Sequence, residues 1–273
     1  MQDIPHKSAG GAPAIVSKPE PGIAVITLDR PQQRNALSLG MMAALHVAVE
    51  ELSSDDEVAA IVIAANGTAF CAGHDLKEMT AHRRDPDGGR EFYRQTMSKC
   101  ATLMQAIVKC PKPVIAAVHA TATAAGCQLV ATCDLAVAAE TAKFCTPGVN
   151  IGLFCSTPMV ALTRNVPRKR AMEMLLLGDM ISAADAAHYG LVNCMVPADQ
   201  VMHGALEFAR RISAKSTATV ATGKETFYRQ AEMPLAEAYD HAVKVMVENM
   251  LYRDAEEGIS AFLEKRTPVW KGC

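Results

Sequence analysis

Residues 114–139 read VIAAVHATATAAGCQLVATCDLAVAA, an apolar tract long enough on length alone to cross a bilayer. His119, Gln128 and Asp134 interrupt it, and polar groups are costly inside hydrocarbon. A buried strand, turn, helix and second strand accommodates the same residues without that cost. Val114–Val118 and Leu135–Ala138 are continuously apolar instead of alternating, the pattern of strands covered on both faces of a parallel sheet. Between them, small residues around Gly126 open a short helix.

Working outward, Ile23–Leu28 and Val58–Ala64 have the same composition, with helical patterns between the strands. Ser38 caps a helix in which Leu39, Met42, Leu45, Val49 and Leu52 share one face. A second helix over Glu91–Lys109 ends at the Pro111-Lys112-Pro113 breaker. Further on, Ser182 and Asp185 form a capping box for a helix that stops at Gly190, before a strand at Leu191–Val196. From Asp199 onward only helical patterns remain, in the stretches Ala198–Ser213, Leu235–Asn249 and Asp254–Lys265. This predicts an α/β core over residues 23–198 and a C-terminal helical region over 199–273.

Residues 1–22 contain Pro5, Gly10, Gly11, Pro13, Pro19, Pro21 and Gly22 with no apolar period, and read as a flexible leader. They have neither an apolar core nor an arginine, so they resemble neither a signal nor a transit peptide, and the default is a cytoplasmic protein. Half of the 273 residues are apolar and 21% are charged, which favours a large buried core over disorder. A net charge of −2 gives no reason to expect nucleic acid or a membrane as partner. Nine cysteines occur without a C-x-x-C pair, so no metal site is expected.

Two segments carry chemistry. In Phe70-Cys71-Ala72-Gly73-His74-Asp75-Leu76, the glycine permits a backbone conformation that aims consecutive N–H groups into a cavity, although an ordinary strand-to-helix turn has the same composition. In Ala124-Ala125-Gly126-Cys127-Gln128-Leu129, small residues at a helix start expose free N–H groups, or serve tight helix–sheet packing. Two such donors after neighbouring strands make an oxyanion hole, suited to a thioester carbonyl that becomes enolate-like.

From Ile23 to the C-terminus the chain resembles the crotonase (enoyl-CoA hydratase/isomerase) superfamily. The matching motifs are Leu28-Asp29-Arg30-Pro31 with Arg34-Asn35-Ala36-Leu37-Ser38, then Phe70–Leu76, Cys127 through Leu135, Lys143-Phe144, Leu162-Thr163-Arg164, Ile181–Ala183, Ala186–Val192 and Phe262–Arg266. The resemblance is closest to the enoyl-CoA hydratase domain-containing protein 3 subgroup, through Thr123–Val130, Thr146–Asn150 and Gly152–Pro158. It implies a ClpP/crotonase-like spiral of ββα units, a C-terminal helical trimerisation region, and a homotrimer or dimer of trimers. It places the oxyanion-hole N–H groups on His74 and Ala125. It lines the coenzyme A channel with Arg34, Ala36, Leu37, Ala72, Asp75, Leu76 and Lys77, and brings Phe262 and Lys265 to the nucleotide. Coenzyme A enters as part of the acyl-CoA thioester substrate, with no tightly bound cofactor.

The family's carboxylates are absent. The two hydratase glutamates fall on Gln128 and Gly148, and a carboxylate used by some isomerases and dehalogenases falls on Ser156. An amide has no useful pKa near neutrality, and glycine has no side chain at all. A positioned acid or base contributes about 10²–10⁴-fold, so efficient hydration is not expected. His74, His119, Cys155 and Ser156 are the side chains that could substitute. The resemblance thus implies an enzyme of acyl-CoA metabolism that stabilises a thioester enolate, by slow hydration, isomerisation, decarboxylation or thioester hydrolysis. The alternative is a non-catalytic acyl-CoA-binding module.

Overall fold

The computed structural model describes residues 11–273, so the start of the expected leader lies outside the described residues. The rest of that leader is not loose: β1 (Ala14–Glu20) pairs antiparallel with β2 (Gly22–Leu28), which corrects the boundary at residue 22. Pro19 disguises the strand in the sequence. It is tolerated because β1 is the edge of its sheet, and the register slips between Ser17 and Glu20, where the proline falls.

The chain continues through α1 (Leu39–Ser53) to β3 (Val58–Ala65), the short β4 (Ala69–Cys71), α2 (Leu76–Ala81) and the long α3 (Arg90–Lys109). The progression repeats as β5 (Val114–Val118), β6 (Thr121–Thr123) and α4 (Ala125–Thr132), then as β7 (Leu135–Ala139), β8 (Lys143–Cys145), α5 (Ser156–Asn165) and α6 (Arg168–Leu177). Next come β9 (Ile181–Ser182), α7 (Ala183–His188) and β10 (Cys194–Val196), and the chain ends with α8 (Val201–Ser213), α9 (Thr217–Gln230), α10 (Leu235–Met250) and α11 (Arg253–Glu264).

The strands form two sheets, with the short β4, β6, β8 and β9 together in the second. One has the order β1-β2-β3-β5-β7-β10, parallel from β2 onward, and the other β4-β6-β8-β9, parallel up to its last pair. The three central turns, β3-β4, β5-β6 and β7-β8, each lay one strand in each sheet before the helix that follows, the spiral of ββα units that the resemblance implies. The continuously apolar strands are covered on both faces, β5 along its whole length. Ser38 caps α1 by accepting from the Met41 N–H, and Ser182 with Asp185 closes a capping box on α7.

The division at residue 199 follows pattern, not packing. α8 lies across β2, β3, β5 and β7, burying Val201, Ala205 and Ala209, so the first C-terminal helix is part of the cover of the core. An apolar stripe tells that a helix packs but not against what. α10, by contrast, has no buried residue in this chain.

The segment after α11 is tied back by carboxylates. Glu257 accepts from two Arg266 nitrogens at 2.6 and 2.9 Å and from the Val269 N–H at 2.8 Å, and the guanidinium holds its carboxyl down at about 2. The Trp270 indole donates to the Ala214 carbonyl at 2.9 Å. A carboxylate with a depressed pKa contributes stability above its unfolded value, and that contribution disappears as pH falls through the folded one. The tail is therefore expected to undock as pH falls from 4.5 to about 2, read in the emission of Trp270, the only tryptophan. In Glu257→Gln the same change in emission is expected already at neutral pH; unaltered neutral emission in that variant counts against the tie.

Candidate active site

Three segments meet beyond the ends of the core strands. The 34–37 stretch lies beside 72–75: the Ala72 N–H donates to the Arg34 carbonyl at 3.0 Å, the Leu37 N–H to the Gly73 carbonyl at 2.7 Å, and Leu37 bridges to His74. Asn35, fully buried, staples this loop. Its Nδ2 donates to the carbonyls of Asn66 and Ala69, and its Oδ1 accepts from the Arg30 N–H. Asp75 caps α2 by accepting from the Lys77 and Glu78 N–H groups. The segments that carry the expected coenzyme A channel residues Arg34, Ala36, Leu37, Ala72, Asp75, Leu76 and Lys77 thereby lie side by side, with Leu37 itself fully buried. Arg34 and Lys77 are exposed and make no ion pair among the described residues, leaving two cations free for an anion.

The third segment is the start of α4. The Thr123 hydroxyl donates to the Ala72 carbonyl at 3.1 Å, and the Ala124 N–H to the Cys145 carbonyl at 2.9 Å. Gly73, at φ +83°, is so close that an added Cβ would lie 2.9 Å from the Ala124 methyl and 3.1 Å from the Ala125 nitrogen. The peptide leading into His74 thus abuts the Ala125 N–H. Neither N–H bonds to a protein acceptor among the described residues, so two free donors stand side by side.

The substituted positions are close by. Gln128, one turn along α4, is 4% exposed, and its Oε1 accepts from the Cys100 thiol at 3.8 Å. Gly148 is buried in a 3-10 turn, and an added Cβ there would meet the Leu153 carbonyl oxygen at 2.8 Å and Cys155 Sγ at 2.9 Å. Cys155 fills the space a longer side chain at 148 would need. Ser156 is exposed at the start of α5, where its N–H donates to the Phe154 carbonyl at 2.7 Å and its hydroxyl reaches the same carbonyl at 3.4 Å.

Among the described residues none of the four substitute side chains forms an acid–base pair. Burial lowers the His74 imidazole from its usual value, the Leu37 backbone opposing, and among the described residues neither ring nitrogen has a hydrogen-bond partner. His119 Nε2 is engaged by the Gly67 carbonyl at 2.9 Å. Burial pushes the Cys155 thiol up, the Gly148 backbone opposing, while Cys71 and Cys100 are pushed to about 12 and Cys145 to about 11, so these thiols remain protonated and non-nucleophilic near neutrality. Phe262 and Lys265 are exposed on or just after α11, which packs on α10.

The profile described as enoyl-CoA hydratase/isomerase matches residues 18–273. The chain belongs to the enoyl-CoA hydratase/isomerase family. A solved enoyl-CoA hydratase of Mycobacterium smegmatis superposes with a TM-score of 0.90 at 51% identity, over 94% of this chain and 98% of that one. Human enoyl-CoA hydratase domain-containing protein 3 superposes at 0.89 with 44% identity, over 94% of this chain and all of that one, confirming the crotonase fold. The Xenopus laevis protein of that name is 47% identical over 258 residues, 94% of this chain and 86% of its own length.

That relative and its counterparts in Homo sapiens, Rattus norvegicus, Mus musculus and Danio rerio are named mitochondrial, which overturns the cytoplasmic default. The default rested on features missing from residues 1–22, and a missing signal specifies no compartment. Of the residues that shape the site, Asn35, Ala124 and Cys155 were not assigned their parts by sequence. Asn35 lies within the quoted Arg34–Ser38 motif; Ala124 and Cys155 had no signal beyond proximity.

Proposed function

We propose that this protein is an acyl-CoA thioester enzyme in which the His74 and Ala125 N–H groups stabilise the oxyanion of a thioester enolate. The observation that carries the reading is the pair of unengaged N–H groups brought together at Gly73. One such donor is worth about 3–4 kcal/mol in a transition state. Arg34 and Lys77 would hold phosphates of coenzyme A, and Phe262 and Lys265 would approach its nucleotide from a neighbouring subunit. A homotrimer or dimer of trimers is consistent with α10, where Leu235, Tyr239, Val243, Met246 and Met250 are exposed. The physiological setting would be fatty-acid or acyl-CoA metabolism.

Proton transfer is the part the chain lacks. With Gln128 and Gly148 at the carboxylate positions, crotonyl-CoA hydration is expected to be slow in the natural sequence. Gln128→Glu fits the existing side-chain volume and is expected to raise hydration at least about tenfold, the low end being set by one acid without its partner. Gly148→Glu is expected to lower stability and add nothing to the rate, because its Cβ has no room beside Leu153 and Cys155. Steady-state hydration rates and thermal melting of both variants test this. A fast wild type, at about 10²–10³ s⁻¹, would mean that other groups move the protons.

The reading of a non-catalytic acyl-CoA-binding module is favoured by one observation, Cys155 occupying the space at Gly148. Tight binding across a panel of acyl-CoA thioesters with no turnover of any would support it.

A further inference from the structure

Four non-glycine residues of the described chain have positive φ: Arg34, Asn35, Ala124 and Lys265. Arg34 and Lys265 combine it with ψ of 37° and 39°, the ordinary left-handed conformation. Ala124 differs. Its φ of 50° and ψ of −119° belong to the first central position of a type II′ turn, which glycine occupies without strain and an L side chain does not. Such a conformation persists only where its surroundings over-determine it.

Here every side of Ala124 is held. Its N–H donates to the Cys145 carbonyl, its carbonyl accepts from the Gln128 N–H at 3.0 Å, and its methyl packs on Gly73. The preceding Thr123 hydroxyl ties the same turn to Ala72. The Ala124 carbonyl and the Ala125 N–H are opposite ends of one peptide group, whose plane is set by ψ of Ala124. With the carbonyl committed to Gln128, the N–H must point away from the helix, on the side where Gly73 and His74 lie.

We propose that Ala124 is a positioning residue: its strained turn fixes the peptide that carries the Ala125 donor, and its methyl keys that turn against the residue preceding the other donor. This rests on the thioester reading above. A glycine at 124 reaches the same dihedrals but also others, and loses the methyl contact, so the donor is loosened while the coenzyme A contacts stay intact.

The test is the infrared carbonyl band of crotonyl-CoA labelled with ¹³C at the thioester carbon, bound to the full chain. In the wild type and in Ala124→Ser, which keeps the Cβ, a downshifted band is expected. In Ala124→Gly the downshift is expected to shrink by about half, one of two donors being loosened, with affinity within about threefold and the fold retained by circular dichroism. A full downshift in Ala124→Gly overturns the proposal, as does loss of binding with an unaltered downshift in the remaining complex. Wild-type binding with no downshift overturns the thioester-hole reading itself.

Discussion

Gly126→Ala is expected to reduce turnover of any acyl-CoA thioester the protein accepts by at least about 10²-fold, the loss seen when one oxyanion donor is withdrawn. The added Cβ would lie 2.2 Å from the Cys71 carbonyl oxygen and 2.8 Å from both the Cys71 carbonyl carbon and Cβ. These atoms belong to β4, a strand paired with β6, so they cannot swing aside as a side chain would. α4 must therefore retreat from β4. Since the Ala125 N–H rides on the first turn of α4 and the His74 N–H follows β4, the retreat separates the two donors. The overpacking itself is expected to cost about 1–3 kcal/mol. Gly223→Ala in α9 is the control: its Cβ would meet nothing within 4 Å, and removing a mid-helix glycine is expected to be neutral or to stabilise by about 0.5–1 kcal/mol. Kinetics and denaturant melts of both variants decide the matter. Wild-type turnover in Gly126→Ala would show that the β4–α4 approach does not set the site.

How much of this was legible in the sequence depended on the length of the signal. Strands such as β3 and β5 are apolar over enough residues to be read as doubly covered, and they are. β4, β6 and β8 have three residues each, too few to show any period, although they complete the ββα unit and lead directly into the site. β1 was hidden by Pro19 and a turn, and α9 by its threonines and Gly223, which weaken a helical pattern that tertiary packing then supplies. At the site, Gln128 and Gly148 stood out because particular side chains were absent. What replaced them was not legible: nothing in the string Gly-Val-Asn-Ile-Gly-Leu-Phe-Cys says that Cys155 folds back against Gly148. Nor does an Ala-Ala-Gly run disclose that the strained dihedrals fall on Ala124 while Ala125 starts the helix.

Lys224→Met is expected to destabilise the fold by about 3–5 kcal/mol, the range for a buried ion pair that loses one partner. Lys224 is 9% exposed, and all three of its ammonium donors are engaged: Asp134 Oδ2 at 2.6 Å, the Ile107 carbonyl at 3.0 Å and the Lys112 carbonyl at 3.1 Å. Asp134 in turn accepts from the Val114 N–H at 2.7 Å and the Tyr228 hydroxyl at 2.8 Å. Burial, with Asp134 adding to it, pushes the Tyr228 hydroxyl up, which keeps it a donor. One cluster thus ties the end of α3, the starts of β5 and β7, and α9. Methionine preserves volume but leaves the carboxylate inside with its main counter-charge gone, whereas Tyr228→Phe removes a single bond and is expected to cost about 1 kcal/mol. Chemical denaturation measures both, and a loss under 1 kcal/mol for Lys224→Met would mean that water reaches Asp134 and solvates it. The cluster sits where β5 and β7 begin, while the Ala125 donor and the Gly148 turn follow those strands' far ends. For that reason Lys224→Met protein that remains folded is expected to bind crotonyl-CoA as the wild type does. Lost affinity at wild-type fold content would instead couple the clamp at one end of the spiral to the donors at the other.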